Sequence, residues 1–499
     1  MSVSQSRSQD LADEPNSAFL GVSLRLPTSI ADASQPQGLR DRSALIARLS
    51  WSAMQPVIEE IRADAFVDSP ITEDPSASSS RSALDAPERW IAVIPENRRD
   101  LAEACVTRAQ AAWRESGEEA SAGENLEIHT IVTPWRECSP DVISELLGDE
   151  AAPATTRDAL FEARLAIALK TLDAKQAFPP IPPAAMNLNP NRSRVQTRRD
   201  EGWTTPSRYA IAAIRSDRAP IGREARRAAA TAWSAYAMGS APAVIERHGG
   251  LLIQTHVEET IFAAPSATAL ACAADLARAW REAAENARDS RTDQVSLSGG
   301  LVIIDHPGFA RSGLRQARTA CRIAKEQGGD GLRVSLEPGA ASALEEDAES
   351  SKETAGALIS WDTIAELLEL TRKAVGSGGG EHQTFVLQRD AALASSLPWS
   401  AAIAEISRLA FGAASIPAQN AIASFLQSLR RDWSNRSERP QDTIDSPSSS
   451  QPKIHNEPPI PAPAEESEIG RLALVEGMRL LIFAIHAQRS PESPRRLRA

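Results

Sequence analysis

Between residues 208 and 338, short apolar runs of period two alternate with longer stretches of helical spacing. This alternation constrains the fold more than any other feature of the chain. "RYAIAAIRS" (208–216) reads as a strand and 222–247 as a long Ala/Arg-rich helix. "VIERHGGLLIQTHVEETIFAAP" (244–265) then reads as a helix end, a Gly-Gly turn and two strands joined by a polar turn, His256-Val257-Glu258-Glu259. A helix at 266–288, a strand at 294–305, a helix at 309–327 and a strand at 331–338 follow. The order β-α-β-β-α-β-α-β is a ferredoxin-like unit with one helix and one strand added.

The 499 residues exceed what one ordinary core can hold, so several domains are expected. Only 4% of residues are aromatic, which leaves Ala, Leu, Ile and Val to build the interior. The first half carries a shorter version of the same alternation. Strands are expected at 18–27, 89–95 and 126–134, and helices at 39–61, 97–116 and 156–176, with Pro56 inside the first helix. Duplication of one α/β unit is a consistent reading. "FPPIPPAAMNLNPN" (178–191) marks the clearest boundary. After 340 the pattern turns helical, at 358–375, 398–412 and 416–433. The expected class is α+β: a disordered start (1–17), an N-terminal unit (18–177), a Pro/Arg-rich linker (178–204), a second unit (205–345), a helical domain (346–433), a disordered segment (434–467) and a terminal helix (468–489).

Net charge is -12, which argues against a chain that coats nucleic acid with its whole surface but leaves room for a local basic groove. Residues 190–247 hold eleven arginines, five acids and no lysine. Arg192, Arg194, Arg198 and Arg199 cluster in the linker, and Arg223, Arg226 and Arg227 follow on a helix. Guanidinium forks suit phosphates; a solvated helix face is the plainer reading. The four cysteines, Cys105, Cys138, Cys272 and Cys321, form no Cys-x-x-Cys pair, so neither a zinc ribbon nor a disulfide framework is expected, and Cys272 and Cys321 read as small core residues. The N-terminus lacks the apolar stretch of a signal peptide, and "LALVEGMRLLIFAIHA" (472–487) is interrupted by Glu476, Arg479 and His486. A cytoplasmic protein without membrane partners is expected. "GSGGGEH" (376–382) lacks the Lys-Ser/Thr of a P-loop and reads as a linker, and His248 reads as a helix-end residue.

A ferredoxin-like unit with acids at the end of its first strand and on its central hairpin has a known chemical use, as the palm of nucleotide polymerases and cyclases. Carboxylates at the strand ends hold two divalent ions that activate a hydroxyl and neutralise a triphosphate. The candidates here are Asp217, Glu258 and Glu259. Against this, polar residues belong at hairpin tips, and on the residues alone solvated turn carboxylates are the favoured reading.

The ordered set "YAIAAIRSDRAPIG", "HGG", "LSGGLVI" and the helix carrying Lys325 resembles the second palm of the Cas10 large subunit of type III CRISPR effectors, in its Cmr2-like form. "GLRDRSALIARLSWSAM" and "ARLAIALKTLDAKQAF" are similar to helices of the family's first palm. The resemblance covers about 18–345 and implies two palm domains with a C-terminal helical domain. It also implies nucleotide contacts at Lys325 and Ser298, crRNA and target RNA as ligands, and Cas5-, Cas7- and small-subunit-like partners. The departures are equally specific. The family's Gly-Gly-Asp-Asp hairpin is His256-Val257-Glu258-Glu259 here, and a β-branched Val257 resists the dihedrals a glycine allows. The Asp-x-Asp-x-Met-Gly of the first strand reads Asp217-Arg218-Ala219-Pro220-Ile221-Gly222. The chain has no His-Asp dipeptide for an HD nuclease, and the usual inter-palm cysteine cluster is replaced by a Pro/Arg-rich segment, so neither nuclease nor zinc is expected. The resemblance implies a catalytically inactive, RNA-contacting scaffold of an antiviral effector, with no cofactor. The alternatives are a divergent nucleotidyltransferase making cyclic oligoadenylate from ATP with Mg²⁺, and a non-catalytic nucleotide sensor.

Overall fold

A computed structural model describes residues 16–26, 35–62, 65–67, 88–116, 126–137, 157–176, 208–217, 235–256, 259–286, 296–304, 309–335, 358–376, 399–411 and 416–437, with isolated positions at 206–233 and 477–485. The segments 68–82 and 178–191, Cys138, and the arginines Arg192, Arg194, Arg198, Arg199, Arg223 and Arg227 lie outside the described residues.

The class is α+β, with two sheets among the described residues. The first sheet has the order β2-β1-β3: β1 (Ser17–Arg25), β2 (Arg89–Pro95) and β3 (Glu127–Pro134), with β1 antiparallel to both neighbours. β1 is buried on both faces, as its near-continuous apolar run requires. Ala18, Leu20, Val22 and Leu24 face helices α1 (Pro36–Glu60) and α2 (Asp100–Glu115). Phe19 faces α3 (Arg157–Gln176), in a cluster with Trp135, Phe161 and Leu165. α1 begins before the expected residue 39, with a proline in its first turn, and runs through Pro56 to Glu60.

The second sheet has the order β5-β6-β4-β7-β8-β9. β4 (Tyr209–Ser216) pairs antiparallel with β6 (Glu259–Pro265) and β7 (Leu297–Ile304), and β5 (Leu251–His256) pairs antiparallel with β6. β8 (Gly331–Ser335) adds to β7 in parallel. The helix expected over 222–247 is not uniform: Tyr236–Ser240 is π-helical, and α4 (Ala241–Arg247) follows. Pro242 lies in the first turn of α4; it has no amide to donate and its ring crowds the carbonyl four residues earlier, which the wider π turn before it relieves. α5 (Ser266–Asn286) covers the same face as α4, and α6 (Ala310–Glu326) covers the other.

The two sheets repeat one plan. In each, a central strand is flanked by two antiparallel strands, and one helix joins the flanking pair, α2 from β2 to β3 and α5 from β6 to β7. Pro95 and Pro265 close equivalent strands, opposite the first residues of β1 and β4. Phe66 bridges to Ala92 on the outer edge of β2, where β5 lies in the second sheet. α1 reaches from the first sheet to the second, and its Leu39 is buried among Tyr209, Ile211 and Ile253.

Residues 358–360, expected to open a helix, instead form a short strand, β9 (Leu358–Ser360), antiparallel to β8. The helices α7 (Trp361–Gly376), α8 (Trp399–Phe411) and α9 (Ile416–Ser437) then share one apolar cluster with the α5 face of the sheet. Leu480, Leu481, Ala484 and Ile485 of the terminal helix join the same cluster. Trp361 Nε1 donates to the Leu297 carbonyl at 2.8 Å, and the Ser360 amide donates to Asp432 Oδ2 at 2.9 Å, fixing this helical layer to the sheet. Among the described residues no helix is long and apolar enough to cross a membrane.

Candidate functional site

The site is a corner of the second sheet, where β4 ends and β6 begins, on the face covered by α6. Strand alternation puts Ile261 and Ala263 of β6 and Ile211 and Ala213 of β4 in the apolar layer beneath α6. Glu259 and Arg215 share that parity and stand opposite each other in the β4–β6 register. α6 lies close enough to β7 for a Cβ on Gly300 to fall 2.1 Å from the Ala317 carbonyl oxygen and 2.5 Å from the Cys321 nitrogen. Only glycine allows that approach, which accounts for the second glycine of "LSGGLVI" and sets Arg318, Cys321 and Lys325 over the corner.

Glu259 is not a solvated turn carboxylate. It is the first residue of β6, pairs with His256 across the hairpin and is 7% exposed. Only Val257 and Glu258 connect the two strands, and both lie outside the described residues. Arg318 Nη2 donates to Glu259 Oε2 at 2.8 Å and to Gln254 Oε1 at 3.4 Å. Burial works against the Arg318 charge, but Glu259 beside it, with Glu88, holds the guanidinium above its ordinary range.

Asp217 follows β4 directly and is 9% exposed. Its Oδ2 accepts from Ser296 Oγ at 2.7 Å and from the Asp330 amide at 2.9 Å, and its own amide donates to the Ser296 carbonyl at 2.9 Å. Gly329, at φ +70°, packs so tightly that a Cβ there would lie 2.5 Å from Asp217 Oδ2. Asp217 therefore fastens the turn between α6 and β8. Its Oδ1 is buried with no hydrogen-bond partner. Lys325 Nζ donates to the Ser216 carbonyl at 3.3 Å, at the end of β4. Ser298 is fully buried; its carbonyl accepts from Cys321 Sγ at 3.3 Å, and its Oγ is buried with no hydrogen-bond partner. At the centre, burial, then Glu259, pushes the Cys321 thiol up to about 12; Asp217 adds to this, while Arg215 and Lys325 oppose it.

The structure brings Asp217, Glu259, Ser298 and Lys325 together around Cys321, while Glu258 lies outside the described residues. Arg226, expected on a phosphate-binding face, is 12% exposed and holds Glu162 of α3 through two hydrogen bonds of 2.8 and 2.6 Å. The sequence reading missed Arg318, Ser296 and Gly329. Arg318 had a legible signal: it precedes Lys325 by seven residues, two helical turns, and so lies on the same face of α6. Cys105, Cys272 and Cys321 are buried and free, and His248, at the end of α4, hydrogen-bonds Asp275 at 2.9 Å.

The described residues of the corner do not form the two-metal site of a palm. Among the described residues no three His, Cys, Asp or Glu side chains converge as metal ligands would. Mg²⁺ asks for near-octahedral oxygens at about 2.0–2.1 Å, whereas Glu259 is held by Arg318 and Asp217 by Ser296 and the Asp330 amide.

No protein-family model matches this chain, and no curated protein matches it in sequence. Among solved structures it is similar to Csm1 of T.onnurineus, at 12% identity and a TM-score of 0.46 over 96% of this chain and 71% of that one. It is also similar to a Csm1-Csm4 cassette in complex with cA4, at 11% identity and a TM-score of 0.46 over 96% and 71%. A third is the Csm1-Csm4 subcomplex of a type III-A CRISPR-Csm interference complex, at 12% identity and a TM-score of 0.44 over 83% and 65%. The match to an apo Csm1-Csm4 cassette spans about half, 54%, of that chain's length.

Proposed function

We propose that this chain is a catalytically inactive large subunit of the Cas10 type, a scaffold of a type III CRISPR effector that contacts crRNA and target RNA. The observation that carries the reading is the corner of the second sheet. A β-α-β-β-α-β order with its first strand between the third and the fourth supports a ferredoxin-like palm. The residues singled out by the resemblance, Asp217, Glu259, Ser298 and Lys325, meet where a palm does its chemistry, and the protein's own groups engage both described acids. A site whose carboxylates are committed in this way supports retention of the fold without nucleotidyl transfer. The repeated plan of the first sheet and the C-terminal helices agree with a two-palm subunit bearing a helical layer. Cas5-, Cas7- and small-subunit-like proteins are the partners on this reading.

The test is to co-express the chain with its genomic neighbours, purify it by a tag and sequence the RNA that accompanies it. Uniform short RNAs beginning with a repeat-derived tag are expected; no RNA, or only random RNA, overturns the scaffold reading. Incubation with ATP and Mg²⁺ should yield no oligoadenylate. A product abolished by Glu258→Gln/Glu259→Gln would return the enzyme reading.

A further inference from the structure

We propose that the Arg318 guanidinium stands where a palm would hold a metal: it is a built-in cation that satisfies Glu259 and closes the corner to divalent ions. This rests on the reading of the corner as a former two-metal site, and it names the device that has replaced the metals.

Three observations support it. The first is charge. Arg215, Arg318 and Lys325 surround Cys321 together with Asp217 and Glu259, and Glu88 also faces Arg318, so three cations stand against three described carboxylates. A divalent ion would enter a neighbourhood where fixed cations already offset the described carboxylates, leaving no excess negative charge to hold it. The second is geometry. Glu259 is 9% exposed at its side chain, and the oxygen a metal would need accepts from Arg318 at 2.8 Å. Arg318 also reaches Gln254 on β5, so one guanidinium holds both strands of the hairpin against α6. The third is permanence. A guanidinium stays charged at any physiological pH and cannot dissociate as an ion can. A metal would have to displace a tethered cation while paying its own dehydration, which Mg²⁺ resists.

The experiment uses the full chain and Mn²⁺ alone as the probe, with free Mn²⁺ followed by electron paramagnetic resonance. The wild type should show no saturable site at about 0.1–1 mM, where weak oxygen sites take divalent ions. Arg318→Gln removes the charge and should gain one site per chain; adding Glu259→Gln should abolish it. Arg318→Lys keeps the charge and should remain closed. Saturable Mn²⁺ binding by the wild type that Glu259→Gln removes would overturn the proposal, as would a folded Arg318→Gln that gains no site. If Arg318→Gln does not fold, the wild type and Arg318→Lys decide: binding by either refutes the built-in cation, and none by both upholds it. The result is independent of the RNA that co-purifies, so failure here and failure of the scaffold reading are told apart.

Discussion

Asp217 shows how a single residue can keep its place while its work changes. One oxygen of its carboxylate, Oδ2, holds the α6–β8 turn through Ser296 and the Asp330 amide. Asp217→Ala should therefore lower stability by about 1–3 kcal/mol, the cost of losing two part-buried hydrogen bonds to a charged group. Urea unfolding measures this directly, and a neutral result would mean the turn does not depend on the carboxylate. Gly300→Ala should cost at least about 1–3 kcal/mol, because the added methyl meets helix backbone rather than a side chain that can move. Buried thiols set a pH dependence. Burial pushes Cys105 and Cys321 up from the ordinary value of 9.0 to about 12. The unfolded chain ionises these groups first, so their contribution is complete below pH 9 and is lost as pH rises toward about 12. The urea midpoint should fall between pH 9 and pH 11, and Cys321→Ala should flatten that fall.

At the scale of elements, the hairpin and α6 form one device. The strand period puts Glu259 beneath the helix, and the glycine of β7 lets the helix come close enough for Arg318 to reach it. A second connection runs between the units, where Arg226 holds Glu162 of α3. Glu162→Gln should destabilise by about 1–3 kcal/mol, as expected for hydrogen bonds to a charged group that is mostly out of water. Glu369→Gln, which touches the exposed Arg372–Glu369 pair within α7, should change stability by less than about 0.5 kcal/mol. Denaturant titration of the two variants side by side checks the contrast; equal effects would mean that the Arg226 pair is as solvated as a surface one.

At the scale of the molecule, the C-terminal helices do not stand apart. The α5 face of the second sheet, α7, α8, α9 and the terminal helix share one apolar cluster. A fragment ending at 345 would leave Leu332, Leu297 and the α5 face without Trp361, Ile364 and Leu367. That fragment should aggregate or unfold without a cooperative transition, as followed by circular dichroism and light scattering. A soluble fragment with a sharp melt would restore an independent helical domain. The repeated plan of the two sheets points the same way at larger scale, since α1 buries Leu39 under the second sheet and so joins the halves.

The sequence by itself determined the order and period of the elements, because backbone geometry imposes a repeat of two on strands and of 3.6 on helices. It also put Asp217 and the hairpin acids at neighbouring strand ends, since strand ends in this topology must meet there, whereas Lys325 and Ser298 entered only through the family resemblance. The same local patterns misread one place and missed a detail at another. Residues 358–360 carry helix-compatible residues but join β8, because an open sheet edge offered paired hydrogen bonds. The 222–247 segment is helical at its described positions, as its period requires, with a π turn at Tyr236–Ser240 just before Pro242. Only the tertiary structure decided the state of the acids. Whether Glu259 meets water, a metal or a guanidinium depends on how near α6 approaches β7. That distance is set by packing between residues far apart in the chain, around a glycine whose spacing in sequence says nothing of Arg318.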